Sequence, residues 1–168
     1  MAKKTIIQKG DPVLTKVCHP VTKFDRKLHH LLNDLTDTLL SAGGVGLAAP
    51  QLGILRRVVV VINAKEEVIE LVNPEIVETS GEQVGFEGCL SLKGLYGVVP
   101  RPSHVTVKAQ DRNGNEFTVT SDCDLTARCF CHELEHLDGR LFDEHTDELY
   151  TEEELDRMME EKEKELGS

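Results

Sequence analysis

The stretch that organises this sequence is residues 124–139, DLTARCFCHELEHLDG. Its spacing predicts a helix from about Asp124 to Asp138, and Gly139 suits the left-handed conformation that ends many helices. Apolar side chains occur on most sides of this helix. Because a helix that is apolar nearly all round is usually buried, we expect its histidines to face the interior of the protein.

Two of those histidines, His132 and His136, are four residues apart. Side chains at this spacing lie on one helix face with Cβ atoms roughly 5–6 Å apart, so both imidazoles can reach one metal ion. Glu133 borders the same stripe, where it can exchange protons with a water held at that metal. The pattern also fits a charged helix face with two solvated histidines, so it does not by itself establish a metal site.

The composition is typical of a globular protein of one domain. The chain has 168 residues, 39% of them hydrophobic, which predicts one domain with a core, and no apolar run is long enough to span a membrane. It has five cysteines, at positions 18, 89, 123, 129 and 131. An odd number with no recognisable signal peptide predicts reduced thiols and a cytoplasmic location.

Charge is concentrated at the end of the chain. The net charge is −11, and Asp143 to Ser168 contribute −9 of it through twelve acidic and three basic residues. No basic patch is evident in the remainder. We therefore expect neither nucleic-acid binding nor membrane binding, and we interpret residues 151–168 as an acidic C-terminal helix.

The other elements flank the central helix. A first helix is predicted after Asp25, with leucines at helical spacing up to Gly43, and a last helix is predicted at Thr151, where Glu154 completes a capping box. Strands are predicted between them, including a hairpin with a type I′ turn at Asn113-Gly114. These strands are residues 57–63, 68–72, 75–79, 103–110 and 116–120. The sequence thus predicts an α+β fold of mostly antiparallel strands around a buried metal-binding helix, with an N-terminal and a C-terminal helix, as a single catalytic domain over residues 1–168.

A catalytic metal with two histidines needs a third protein ligand. Some metalloproteases place a histidine three residues after a following glycine, but here that position is Phe142, which cannot bind a metal. Others use a downstream glutamate, for which Glu144, Glu148 and Glu152–Glu154 are available. Upstream, Cys89 in EGCLS (residues 87–91) lies beside a glycine that lets the backbone approach a ligand closely, although a lone cysteine is more often a small buried apolar side chain.

Three segments together resemble the signature motifs of the bacterial peptide deformylases. They are GVGLAAPQ at residues 44–51, EGCLS at residues 87–91 and HELEH at residues 132–136. Their order and spacing match, and the similarity covers about residues 5–145. That family is an α+β metalloenzyme that removes the formyl group from N-formylmethionyl peptides, so the resemblance implies newly made polypeptides as partners and formate as a product.

The resemblance also implies roles for single residues. Cys89, His132 and His136 would bind one divalent metal, Fe²⁺ by analogy, although Zn²⁺, Ni²⁺ or Co²⁺ would also suit these ligands. Glu133 would act as general base and acid. Gln51 and the backbone N–H of Leu90 would stabilise the oxyanion. The peptide backbone would bind along Gly44, Val45 and Gly46, and Arg101 would lie near the substrate, with a surface charge as the alternative.

Further expectations come from the helix itself. Leu125 and Cys129 precede the histidines on the same stripe, so we expect them to line the substrate pocket. Cys123, Cys129 and Cys131 are otherwise interpreted as small packing side chains. Glu135 stands where the family usually has aspartate. We expect the longer side chain to affect the positioning of neighbouring groups but not metal binding.

Two rival functions remain open from the sequence. One is a zinc endopeptidase that uses His132, Glu133 and His136, and the other is a metal-binding module without catalysis. Some relatives dock on the ribosome through a basic C-terminal helix, and the acidic helix here does not match that mode, so only a transient ribosome contact is expected.

Overall fold

A computed structural model describes residues 4–122 and 124–167. It contains three helices, α1 (Arg26–Ala42), α2 (Leu125–Leu137) and α3 (Glu152–Gly167). The eight strands are β1 (Gly46–Ala48), β2 (Val58–Ile62), β3 (Val68–Ser80), β4 (Gln83–Cys89), β5 (Leu92–Arg101), β6 (His104–Gln110), β7 (Glu116–Asp122) and β8 (Leu149–Thr151). Short 3-10 turns occupy Pro12–Thr15, Ala49–Leu52 and Phe142–His145.

The strands form two antiparallel sheets. One has five strands in the order β1-β2-β3-β6-β7, and the other has three in the order β4-β5-β8. The predicted α+β class, with antiparallel strands and a helix near each end, is confirmed.

The larger sheet separates two layers of helix. Val59 and Val61 of β2 pack in one apolar cluster with α2, while Val58 and Val60 pack in another with the leucines of α1. Strand β2 is therefore buried on both faces, which explains its unbroken run of valines. The smaller sheet contributes a third cluster that includes Leu92, Val99 and Phe142.

Helix α2 lies at the centre of this arrangement. All of its residues except Leu125 and Glu135 are buried, as predicted from its apolar sides. The side chain of Asp124 accepts a hydrogen bond from Ala127 N, and Gly139 follows the helix with a φ of +74°. A side chain at Gly139 would meet Thr15 O at 2.6 Å, so the glycine serves both the backbone conformation and the close approach of the N-terminal segment.

The other predicted helix ends are confirmed too. Asp25 caps α1 through Leu28 N, and Gly43 ends it in the left-handed conformation. Thr151 and Glu154 form the predicted capping box, because each side chain accepts a hydrogen bond from the backbone N–H of the other.

Two details of the strand predictions are wrong. Residues 68–72 and 75–79 belong to one strand, β3, which is interrupted by a bulge where Asn73 has a φ of +50° before Pro74. The hairpin between β6 and β7 exists, but its turn is not type I′. That turn requires a positive φ at both central residues, and only Gly114 has one, at +88°.

Strands β1, β4, β5 and β8 are not among the predicted strands, and β4 and β5 are the longest of these four. Glycines at positions 85, 88, 94 and 97 dilute the alternation of apolar and polar side chains that normally identifies strands. These two strands are important for the site because β4 ends at Cys89 and β5 ends at Arg101.

Helix α3 covers little of the protein. From Glu152 to Leu166, only Glu154 and Leu155 are partly buried, and the apolar side chains of Met158, Met159 and Leu166 are exposed. The helix is acidic, as predicted. Among the described residues, no helix combines the length and the apolar character that crossing a membrane requires.

Candidate metal centre and its cleft

The structure brings together the three predicted metal ligands. His132 and His136 lie on α2, and Cys89 lies at the end of β4. The Nε2 atoms of the two histidines are 3.3 Å apart, and Cys89 Sγ is 3.4 Å from His136 Nε2. Within residues 4–122 and 124–167, this is the one group of three or more histidine, cysteine or acidic side chains whose ligand atoms all lie within 4.8 Å of one another.

These distances fit a single metal ion. Two nitrogen atoms bound at about 2.0–2.1 Å in tetrahedral geometry lie roughly 3.3–3.4 Å apart. The observed separation of His132 Nε2 and His136 Nε2 is 3.3 Å. One thiolate and two imidazoles would leave the fourth position of a tetrahedral ion open for water or substrate, as is typical of catalytic and not of structural metal sites.

The alternative ligands do not join this group. Burial raises the pKa of Cys131 to about 11 and raises that of Cys129 well above its usual value, so both stay protonated near neutral pH. The downstream glutamates Glu144, Glu148 and Glu152–Glu154 are absent from the described cluster. Cys123 lies outside the described residues.

Glu133 lies beside the three ligands. Its carboxylate oxygens are 4.0 Å from His132 Nε2 and 3.9 Å from His136 Nε2. The side chain is buried, and Oε1 has no hydrogen-bond partner among the described residues. Burial raises the pKa of Glu133 to about 7, so this carboxyl group can accept and release a proton near neutral pH.

A buried ion pair orients His132. Glu87 Oε2 lies 2.7 Å from His132 Nδ1, which leaves Nε2 to face Cys89 and His136. Arg101 donates two hydrogen bonds to Glu87, and Arg128 donates a third. Burial works to raise the pKa of Glu87, but the hydrogen bonds from His132 and Arg101 more than offset it and hold the pKa at about 2.

Arg101 belongs to this buried network. Its side chain is only 5% exposed, which rules out a surface charge, and it is not among the residues that line the cleft. It connects Glu87 to Glu135, whose Oε1 lies 2.5 Å from Arg101 Nη1. The second oxygen of Glu135 lies 2.6 Å from His145 Nε2, so this glutamate links α2 to the turn that follows it.

The hydrogen bonds of Glu87 with His132, Arg101 and Arg128 were not predicted, although Glu87 is part of the EGCLS segment. Glu87 and Arg128 are 41 residues apart, and Glu87 and Arg101 meet only because β4 pairs with β5. A buried arginine beside an acidic residue has no local periodic signal.

Gln51 and Leu90 border the ligands from the other side. The Gln51 side chain accepts a hydrogen bond from Ala48 N and donates one to Ser91 Oγ at 3.0 Å, and its Nε2 atom lies 3.8 Å from Cys89 Sγ. Its amide is therefore held at both ends. Leu90 lines the cleft directly.

The cleft has a volume of about 480 Å³ and opens onto Cys89, His132 and Glu133. Leu125 and Cys129, predicted from their place on α2, both line it, as do residues 44–46.

Gly46 packs so closely on α2 that a Cβ atom there would lie 2.5 Å from Cys129 Sγ and 2.7 Å from Glu133 Oε2. Because β1 pairs only with β2 among the described strands, its other edge can accept an extended peptide.

Comparisons with known proteins agree with this geometry. The family model described as polypeptide deformylase matches residues 3–152. A peptide deformylase of Agathobacter rectalis is 50% identical over 142 residues, which cover 84% of this chain and 89% of the relative. Peptide deformylase 1 of Bacillus subtilis is 49% identical over 156 residues, covering 92% and 97% of the two chains. The crystal structure of a peptide deformylase from Legionella pneumophila superposes with a TM-score of 0.83 at 44% identity, covering 94% of this chain and 90% of that one.

Proposed function

The chain belongs to the polypeptide deformylase family, and from that premise we propose how it removes the formyl group from formylmethionine at the N-terminus of newly made polypeptides and releases formate. The observation that carries the proposal is the convergence of Cys89, His132 and His136 beside Glu133 in an open cleft. We assign the whole of residues 1–168 to one catalytic domain, which carries the acidic helix α3 near its C-terminal end.

Cys89, His132 and His136 hold the metal in this proposal. A bound divalent ion lowers the pKa of a coordinated water towards neutrality and polarises the formyl carbonyl. We propose Fe²⁺ as the native ion from the resemblance to the family, and the same ligands suit Zn²⁺, Ni²⁺ or Co²⁺. Metal analysis of protein purified without oxygen tests this assignment.

Glu133 moves the proton. Its unpartnered Oε1 accepts a proton from the attacking water. As the carbon–nitrogen bond breaks, the same carboxyl group donates that proton to the departing amine, which leaves formate and a free N-terminus. A pKa of about 7 suits both steps.

Gln51 and Leu90 stabilise the negative charge that develops on the formyl oxygen. The Gln51 amide is held by hydrogen bonds to Ala48 N and Ser91 Oγ, and Leu90 lines the cleft. Preorganised donors of this kind stabilise the transition state without reorganisation during the reaction.

The substrate backbone binds along Gly44, Val45 and Gly46 as an additional strand at the free edge of β1. The methionine side chain enters the cleft, where Leu125 and Cys129 form part of its wall. We assign Arg101 a positioning role, acting on His132 through Glu87, in place of a contact with the substrate.

The direct test is an anaerobic assay of formate release from formyl-Met-Ala-Ser, with metal content measured on the same sample. We expect turnover in proportion to bound metal. Cleavage of blocked internal peptide bonds without formate release would support an endopeptidase, and a full metal site without turnover would support a binding module.

Leu125→Trp should raise KM for formylmethionyl peptides about tenfold with a smaller effect on kcat, because an indole would occupy part of the apolar cleft. Steady-state kinetics measure both constants. Leu40→Trp is a matched control, because Leu40 is 60% exposed, Leu125 is 56% exposed, and Leu40 does not line the cleft. An unchanged KM in Leu125→Trp would remove this residue from the substrate pocket.

Ending the chain after Thr151 should leave kcat/KM on short formylated peptides within a few-fold of the full chain. This cut keeps β8 paired with β5 and removes a helix whose apolar side chains are mostly exposed. Thermal unfolding should shift by only a few degrees, since little buried surface is lost. Loss of activity in a truncated chain with native circular dichroism would show that α3 shapes the active site.

We propose that the protein acts in the cytoplasm, where formylated chains are made, and that any contact with the ribosome is transient. The acidic charge of α3 disfavours attraction to the phosphates of RNA, so this helix does not support electrostatic docking there. Co-sedimentation with ribosomes that carry formylated nascent chains tests the contact.

A further inference from the structure

The N-terminal segment Ile6–Lys9 makes hydrogen bonds to the two segments that carry Gln51 and Cys89. Ile7 N donates to Gln51 O at 2.8 Å, and Lys9 N donates to Ser91 O at 2.8 Å. Between these two backbone bonds, Gln8 Nε2 donates to Leu90 O at 2.9 Å.

The orientation of the Gln8 amide is determined by its neighbours. Nε2 also lies 3.2 Å from Ile6 O, so both nearby groups are carbonyl acceptors. Only the NH₂ end of the amide can face two carbonyl oxygens. The side chain is half-buried and held at a fixed position on Leu90 O.

Leu90 O belongs to the same peptide group as Ser91 N–H. That N–H donates to Cys89 Sγ at 3.4 Å. Because a peptide group is planar, fixing the direction of its carbonyl also fixes the direction of its N–H. The contact from Gln8 therefore aims a hydrogen-bond donor at the sulfur atom.

We propose that Gln8 is a positioning residue of the metal centre, acting on Cys89 through the Leu90–Ser91 peptide. The inference rests on the proposed function only in taking Cys89 as a metal ligand. A hydrogen bond to the sulfur withdraws electron density from it, so the thiolate donates less charge to the ion and the ion stays a stronger Lewis acid. The segment thus couples the N-terminal residues to the chemistry of a site more than 80 residues away in the sequence.

Two substitutions test this role in the full chain loaded with Co²⁺. Gln8→Glu keeps the shape of the side chain but removes its donors, and Gln8→Ala removes the side chain beyond Cβ. In both, the thiolate becomes more electron-rich, so the sulfur-to-cobalt absorption band should move to lower energy and the Kd for Co²⁺, measured in a competition with a chelator, should fall severalfold. Because the ion is then a weaker Lewis acid, kcat should fall more than KM rises.

Gln110→Ala is the matched control. Gln110 is also a half-buried glutamine that donates to a backbone carbonyl, that of Gly114, in a hairpin remote from the metal centre. It should lower the thermal stability without moving the absorption band. A merely structural role for Gln8 predicts the same result for its own variants, so an unmoved band and unchanged Kd in both Gln8 variants would overturn the proposal.

The wild-type spectrum separates this failure from a failure of the ligand assignment. If the wild-type protein binds Co²⁺ without any sulfur-to-cobalt band, Cys89 is not a ligand and the proposed function loses its metal set as well. If the wild-type band is normal and only the Gln8 variants leave it unchanged, the ligand set stands and the role of Gln8 is refuted.

Discussion

Replacing Glu133 with glutamine is expected to lower kcat/KM for formylated peptides by roughly 10³–10⁴, the upper part of the range for loss of a general acid and base. The glutamine amide cannot accept the proton of the attacking water, and it cannot return a proton to the departing amine. One residue serves both steps, which is why the upper part of the range applies.

The fold should survive this change. Glu133 Oε1 has no hydrogen-bond partner among the described residues, and the carboxylate is buried where a neutral amide of the same shape costs less to desolvate. Metal content should stay at the wild-type level, because Glu133 is not among the three ligands. Formate release, metal analysis and thermal unfolding on one preparation measure all three quantities.

Glu135→Gln is the control on the same helix. Glu135 also carries a carboxylate near the site, but its oxygens bond to Arg101 and His145, and it is not among the residues that line the cleft. Its loss should lower stability and reduce activity far less than Glu133→Gln does. If Glu133→Gln keeps more than a tenth of the wild-type kcat/KM, Glu133 is not the group that transfers the proton.

The parts of the site that could be predicted from the sequence depend on patterns among residues close together in the chain. The spacing of His132 and His136 on a helix, its apolar sides and its Gly139 stop are all properties of neighbouring residues. They were sufficient to predict a buried helix with two ligands on one face. Cys89 alone does not identify a metal ligand, and it becomes a candidate only through the order of the three motifs.

The parts that escaped prediction depend on contacts between distant segments. Glu87, Arg101 and Arg128 meet because β4 pairs with β5 and because the Arg128 side chain reaches both strands from α2. The glycines of β4 and β5 weaken the sequence pattern by which strands are predicted. Gln8 looks like an ordinary polar residue near the chain start, and only the path of its segment shows that it contacts Leu90. Local sequence predicts which residues can do chemistry, whereas the residues that orient them are determined by topology.

Cys89→Ser is expected to lose most of its bound metal. A serine hydroxyl is protonated at neutral pH and is a poor ligand, so two histidines would remain where three ligands were. The rise in metal Kd should exceed the roughly 10–100-fold that follows from changing a group that only supports a ligand. Activity at limiting metal should fall in step and should recover in part when metal is added in excess.

Cys129→Ser and Cys131→Ser are the controls that make this result specific. Both thiols are buried close to the centre, and burial keeps the pKa of each above its ordinary value, so neither supplies a thiolate at neutral pH. A hydroxyl in place of either thiol should cost some stability, because a buried polar group needs a partner, and it should leave metal content unchanged. The same comparison separates this centre from a two-histidine protease site with a downstream glutamate, because such a site would keep its metal in all three cysteine variants. Depletion in Cys131→Ser with full metal in Cys89→Ser would instead make Cys131 the third ligand, which would contradict the assignment based on the 3.4 Å distance between Cys89 Sγ and His136 Nε2.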